Sequence, residues 1–299
     1  MTVGPPTLRY PGEVRRVRFL ERPNRYLAIV LDPELGRVAA HVPNPGRLRE
    51  LLPETGTFGH IVGLPPDRLR RGHLPERKTA WTLVNVEAPD DPRVLVSVDT
   101  GAARPIVDQA LLRGDLGPVA DWGEWRSEVV WGHHRFDHAV LGAEGKGARP
   151  RALLEVKSSN LKEGSTALFP DAPTVRGTSH VEALARFVRG GGRAALLFLV
   201  QRDDAREVRP YGAMDAPFAR AVERARRAGV LCLGRALHVR PGGAVWGREL
   251  PVGPHEWAPA SDLRPPVRGG EGPTVRAERH PSAARARSFA PRTTRERST

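Results

Sequence analysis

The chain has one cysteine, Cys232, in 299 residues. An intrachain disulfide and a cysteine-based zinc site are therefore excluded. Cys232 sits in Val230-Leu231-Cys232-Leu233, where it reads as a small buried residue. No apolar run reaches the roughly 18 residues that a membrane-spanning helix needs. Residues 1–6, Met-Thr-Val-Gly-Pro-Pro, lack the basic and apolar regions of a signal peptide. Together these absences lead us to expect a cytoplasmic protein. No internal repeat is evident. Lysine is also scarce: only Lys78, Lys146, Lys157 and Lys162 stand among 47 basic residues. A chain that answers nearly every need for a cation with arginine has kept lysine where a compact ammonium serves better than a planar guanidinium.

What the chain has in excess is positive charge, +13 at neutral pH. From Arg264 onward nine arginines face three acids, so that stretch accounts for +6 and the rest is basic in its own right. An excess of this size points to an anionic partner, most commonly nucleic acid. Charge alone confers affinity without reading sequence.

The chemistry concentrates in residues 134–177. A short strand, His134-Arg135-Phe136-Asp137-His138-Ala139-Val140, is followed by a glycine-rich connection. A second strand follows, Ala152-Leu153-Leu154-Glu155-Val156-Lys157-Ser158. Each is apolar enough to pack in a sheet, yet each carries an acid at its centre, which is costly to bury without a partner. A cation shared by Asp137 and Glu155 is one economical explanation. Lys157 lies two residues beyond Glu155, and a strand turns both side chains to the same face. An acid beside Glu-x-Lys on the neighbouring strand is the arrangement of nucleases that hold magnesium in a carboxylate pair. A lone Glu-x-Lys also arises by chance on solvated strands.

Before this region, residues 13–100 read as about five short strands with one brief helix at 47–52, stopped by Pro53. This suits a small barrel such as an oligonucleotide-binding (OB) fold, although any small antiparallel barrel or sandwich fits the same pattern. Arg25 and Arg47 lie beside turns, Pro23-Asn24 and Asn44-Pro45-Gly46, which would fix their direction. With Lys78, Tyr26 and Trp81 they could form a basic groove with aromatic platforms. Residues 105–112 predict a helix carrying Asp108. Apolar residues at 181, 184, 185 and 188 predict another, with Ser179 as its N-cap. The continuous apolar run 194–200 predicts a central parallel strand. A helix at 217–228 and strands at 230–233 and 236–239 follow. From about residue 254 the composition turns to Pro, Arg, Gly and Ser, which reads as a disordered basic tail. The expected division is residues 1–95 as a barrel, 96–250 as an α/β domain and 251–299 as the tail.

With these residues in view, the chain resembles the sugar fermentation stimulation protein family, whose members are regarded as DNA or RNA nucleases. The resemblance rests on Glu21-Arg22-Pro23-Asn24-Arg25-Tyr26, His41-Val42-Pro43-Asn44-Pro45-Gly46-Arg47-Leu48, Arg77-Lys78-Thr79, Ser127-Glu128-Val129 and Arg135-Phe136-Asp137. It continues through Glu155-Val156-Lys157-Ser158, Leu168-Phe169-Pro170-Asp171-Ala172-Pro173-Thr174, Arg176-Gly177 with His180, and residues 197–201. It implies an N-terminal OB barrel, a C-terminal domain of the restriction-endonuclease-like PD-(D/E)XK type, nonspecific DNA binding and a proposed regulatory role in sugar metabolism. Three stretches depart from the family pattern. Phe136-Asp137-His138 stands where Ile-Asp-Phe is usual. Ala103-Arg104-Pro105-Ile106 stands near a usual Pro-Asn-Arg-Leu, and Asp108-Gln109 replaces an acidic pair.

The expectation is metal-dependent hydrolysis of phosphodiester bonds. Asp137, Glu155 and the Val156 carbonyl would ligate Mg2+ or Mn2+, with Lys157 beside them. Arg25, Arg47, Lys78, Arg176 and His180 would contact nucleic acid, and Asp108 or Asp171 would be a third acid at the metal. The rival expectation is a nonspecific DNA-binding regulator that has the fold without the activity.

Overall fold

The computed structural model describes residues 4–52, 56–63, 79–142 and 149–254. After a short first strand, β1 (Thr7–Arg9), come β2 (Val14–Asn24), β3 (Leu27–Asp32), β4 (Gly36–His41), β5 (Phe58–Gly63), β6 (Trp81–Ala88) and β7 (Asp91–Ser97). The strands β2 to β7 lie in the order β4-β3-β2-β5-β6-β7, and a pairing of β4 with β6 closes five of them into a barrel. Alternation directs the packing. In β3, Ala28 and Val30 point inward with no exposure, while Leu27, Ile29 and Leu31 lie partly open. Asp32 ends that strand buried, where it accepts the Glu34 and Leu35 N–H groups and pairs with Arg15.

The helix expected at 47–52 is a turn instead. Leu48 adopts φ +51°, and its carbonyl accepts from both Leu51 and Leu52. Leu48, Leu51 and Leu52 are all buried in the barrel core. Their helix-like spacing therefore serves a single turn that plugs the barrel.

The second half contains α1 (Ala103–Arg113), β8 (Trp125–Trp131), β9 (His134–Leu141), β10 (Pro150–Ser159), β11 (Leu161–Glu163), β12 (Thr166–Phe169), α2 (Val175–Arg189), β13 (Arg193–Val200), β14 (Glu207–Pro210), α3 (Ala216–Arg227), β15 (Leu231–Arg240) and β16 (Gly243–Leu250). A seven-stranded sheet runs β1-β16-β15-β13-β10-β9-β8. β13 is central and parallel to both β10 and β15, as its unbroken apolar run requires. Its residues alternate between two cores. Leu196, Phe198 and Val200 face α2 and α3, whereas Ala195, Leu197 and Leu199 face α1. Each large side chain buried this way stabilises the fold by about 1.5–3 kcal/mol.

Other differences from expectation are local. α2 begins at Val175 rather than near Ser179, because Thr174 is the N-cap: its Oγ1 accepts the Gly177 N–H. The first turn was invisible to periodicity because Val175 is 87% exposed. Residues 230–233 and 236–239 join into the single strand β15, with an irregularity between Arg235 and Leu237. β11, β12 and β14 form a small sheet of their own that no run of residues announced.

The two halves are bonded together. Asn160 Nδ2 donates to the Ser97 carbonyl at 3.0 Å, and the Ser97 N–H donates to the Gln201 carbonyl at 2.9 Å. Asn85 Nδ2 reaches the Arg240 carbonyl at 3.1 Å. Lys162 Nζ lies 2.7 Å from Asp90 in the β6–β7 turn and 3.0 Å from Asp204.

Candidate active site

A cleft of about 520 Å³ opens between the barrel loop at 44–46 and the place in the large sheet where β9 and β10 part. Asp137, Glu155, Val156, Lys157, Asp171 and Arg176 line it. Sheet register explains the convergence. β9 pairs with β10 as far as His138 opposite Leu154, where the ladder stops. Asp137, next along, uses its side chain in place of the ladder: Oδ2 accepts the Val156 N–H at 2.7 Å. The Asp137 carboxylate is thereby fixed beside the Glu155-Val156 peptide.

Glu155 is 4% exposed. Its Oε1 accepts from Lys157 Nζ at 2.6 Å and from His180 Nδ1 at 2.7 Å. Its Oε2 is buried without a hydrogen-bond partner. Burial raises the Glu155 carboxyl, but the His180 hydrogen bond and Lys157 outweigh it, so the net shift is downward and the group is held ionised. Asp137 goes the other way. Burial first, and then the charge of Glu155, lift its carboxyl above the usual range. Two converging carboxylates of which one is electrostatically stressed, with one buried oxygen left over, form a donor set of hard oxygens that a divalent cation would satisfy. Among the described residues no cluster of three or more His, Cys, Asp or Glu side chains suited to a metal occurs. The set is thus a carboxylate pair with neighbouring main chain.

The remaining expected residues have distinct placements. His180 does not reach into the cleft. It is 5% exposed, bonded to Glu155 through Nδ1, with the Arg176 Nε 3.4 Å from its Nε2. Its Nδ1 bond fixes the orientation of the Glu155 carboxylate. Asp108 lies on α1 beside a different cavity, and its Oδ1 is taken by Ser127 Oγ at 3.0 Å and His138 Nε2 at 2.7 Å. Asp171 faces the cleft, its carboxyl raised by burial. Arg25 and Arg47 are exposed, and neither guanidinium has a hydrogen-bond or ion-pair partner among the described residues. Lys78 lies outside the described residues. Burial pushes the Cys232 thiol up to about 12.

Two features escaped the sequence reading. Arg22 stood in it only as a member of the Glu21–Tyr26 motif. Its guanidinium donates to four carbonyls, those of Arg25, Asn44, Gly46 and Arg47, at 2.5–3.0 Å. It thus ties the β2–β3 turn to the loop that rims the cleft. The neighbouring Pro23-Asn24 and Asn44-Pro45-Gly46 turns were the signal, since irregular loops leave carbonyls that need donors. His138, a departure from the family pattern, was not expected to bind Asp108.

A closed five-stranded barrel followed by an α/β sheet with a carboxylate pair and lysine on its neighbouring strands β9 and β10 defines an OB domain joined to a restriction-endonuclease-like domain. Comparison with known families agrees: residues 20–98 match the N-terminal OB domain, and residues 101–243 the restriction-endonuclease-like domain, of the sugar fermentation stimulation protein. The chain belongs to the sugar fermentation stimulation protein family. The homologue from Symbiobacterium thermophilum is 39% identical over 246 residues, spanning 79% of this chain and 94% of that one. The homologue from Acetivibrio thermocellus is 37% identical over 224 residues, covering 75% and 88%. Among solved structures, Pyrococcus furiosus SfsA in complex with Ca2+ superposes with a TM-score of 0.66 at 25% identity, covering 82% of this chain and 99% of that one.

Proposed function

We propose that the protein is a divalent-metal-dependent nuclease that hydrolyses phosphodiester bonds in the cleft between its two domains. The observation that carries this is Glu155: a buried, ionised carboxylate with one oxygen held by Lys157 and His180 and the other without a partner. A polar atom of this kind is costly to leave unsatisfied in a fold that has no use for it. Asp137 and Glu155, with the Val156 carbonyl, would hold Mg2+ or Mn2+, and the solved structure of the Pyrococcus furiosus relative with Ca2+ supports a divalent ion in this family. Such an ion supplies Lewis acidity and a bound water of lowered pKa. The chain's own residues do the rest. Lys157 presents an ammonium at the cleft wall, where it can orient a water or hold a phosphate oxygen. His180 fixes the Glu155 carboxylate. Arg176 adds positive charge at the cleft, and Arg25 and Arg47 add it on the barrel side. The barrel would hold the strand nonspecifically.

The test is cleavage of plasmid DNA and single-stranded RNA with Mg2+, Mn2+ or EDTA. The expected result is cutting that needs metal and falls by at least about a hundredfold in Lys157→Ala, as loss of a positioned proton-transfer or charge-stabilising group does. Metal-independent binding with no cutting under any condition would leave a DNA-binding regulator as the reading.

A further inference from the structure

The barrel carries a second feature at the cleft rim, and it concerns bases rather than phosphates. Tyr26 is 53% exposed in the two-residue turn that joins β2 to β3. Its ring stacks on that of His41, with centroids 6.4 Å apart and planes within 16°. Three hydrogen bonds to the Tyr26 main chain hold the stack. Asn24 Oδ1 accepts the Tyr26 N–H at 2.9 Å, and the Tyr26 carbonyl accepts from the Val42 N–H at 2.9 Å and from His41 Nδ1 at 3.2 Å. A carbonyl can only accept, so that His41 nitrogen carries the proton. The segment bearing the tyrosine is therefore fixed before any ligand arrives.

The surroundings point to the ligand. Arg25 precedes Tyr26, and Arg47 lies in the loop that Arg22 ties to the same turn through the Arg25 and Arg47 carbonyls. Both guanidinium groups are exposed, with no hydrogen-bond or ion-pair partner among the described residues. That loop continues directly into the cleft wall at Asn44, Pro45 and Gly46. A backed aromatic ring in a turn that also carries one exposed arginine and is tied to a loop carrying another, with that loop continuing into the cleft wall, suits a nucleotide strand better than it suits a protein or an isolated anion.

We propose that Tyr26, backed by His41, is a stacking platform for one unpaired base, while Arg25 and Arg47 take the flanking phosphates of the strand leading into the cleft. In a duplex both faces of each base are already covered by its neighbours, so a duplex can use only the arginines. The preferred substrate is accordingly single-stranded or frayed. This deepens the nuclease reading and rests on it only for where the strand leads.

The experiment is binding by fluorescence anisotropy, in EDTA so that nothing is cut, of a labelled single-stranded oligonucleotide and of a duplex of equal length. Tyr26→Ala should weaken single-strand binding about tenfold or more, the range that removal of a stacked aromatic gives, and leave duplex binding within about twofold. Tyr26→Phe should retain the single-strand affinity, because the ring and not the hydroxyl is used. Arg25→Ala and Arg47→Ala should weaken both ligands and each reduce the salt dependence by about one phosphate contact. An unchanged thermal midpoint in Tyr26→Ala establishes that its fold is retained. Equal losses for both ligands, no loss, or a Phe variant as weak as the Ala variant would overturn the proposal. The two readings fail separately. Discrimination that depends on Tyr26 without any metal-dependent cutting sinks the nuclease alone, and cutting with Tyr26→Ala binding unchanged sinks the platform alone.

Discussion

At the scale of single residues, the site turns on how two acids are kept different. Glu155 is held ionised by His180 and Lys157, while burial and the charge of Glu155 hold the Asp137 carboxyl above its usual range. The signs follow from linkage. A lowered carboxyl contributes stability above its unfolded pKa and loses it as pH falls through the folded value. A raised one favours the protonated native state, so the metal-free protein loses stability as pH rises through Asp137's elevated range. A divalent ion needs both carboxylates ionised, and its affinity should climb over that same range. In thermal shift measurements, Ca2+ or Mn2+ at about a hundred times its dissociation constant should stabilise the wild-type protein by about 2.7 kcal/mol. Glu155→Gln should lose that gain, and an undiminished gain would place the ion elsewhere. Much of this site was legible beforehand. The period of two in a strand put Glu155 and Lys157 on one face, and an acid amid apolar residues marked Asp137. His180 was legible only as a member of a motif. Its bond to Glu155 depends on how α2 packs across the sheet, which no local pattern reveals.

At the scale of elements, the loop at 44–47 is the piece on which the barrel side of the cleft depends. It has no ladder of its own, and four carbonyls from it and from the β2–β3 turn converge on the Arg22 guanidinium. Arg22→Ala should cost about 2 kcal/mol in urea unfolding, the scale of a few charge-assisted hydrogen bonds partly replaced by water. It should also weaken single-strand binding by displacing Arg25, Tyr26 and Arg47 together. Unchanged stability would mean that the loop is held by other contacts. The elements that were legible are those whose packing face is written in their periodicity: the barrel strands, β10, β13 and the later turns of α2. The failures share one cause. Where an element is too short for a period to show, or its first turn faces solvent, tertiary contacts decide it. The Leu48 turn mimicked a helix by spacing alone, and β11, β12 and β14, with three or four residues each, carried no signal.

At the scale of the whole molecule, the domains share buried bonds rather than a flexible tether. The Asn160 amide on the Ser97 carbonyl, the Ser97–Gln201 main-chain bond and the Lys162–Asp90 pair cross between them. The described residues should therefore unfold in one calorimetric transition whose van't Hoff and calorimetric enthalpies agree. Asn160→Ala should lower that transition as a unit by about 1–3 kcal/mol, through the acceptor left unsatisfied. Two separate transitions in the wild-type protein would contradict this. The two-domain plan itself was readable from the change from alternating short strands to strands interspersed with helices. The joint was not, because its bonds link residues more than sixty positions apart in the chain.

The placement of β1 has a practical corollary. Thr7–Arg9 precedes the barrel in the chain but completes the far edge of the other domain's sheet by pairing with β16, at Thr7 opposite Val245, Leu8 opposite Ala244 and Arg9 opposite Gly243. The barrel is thus an insertion between the outermost strand of that sheet and the rest of it, and no single scission between the lobes yields two intact halves. A fragment starting after Ser97 would bare the β16 backbone to foreign strands, the usual route to edge-to-edge aggregation.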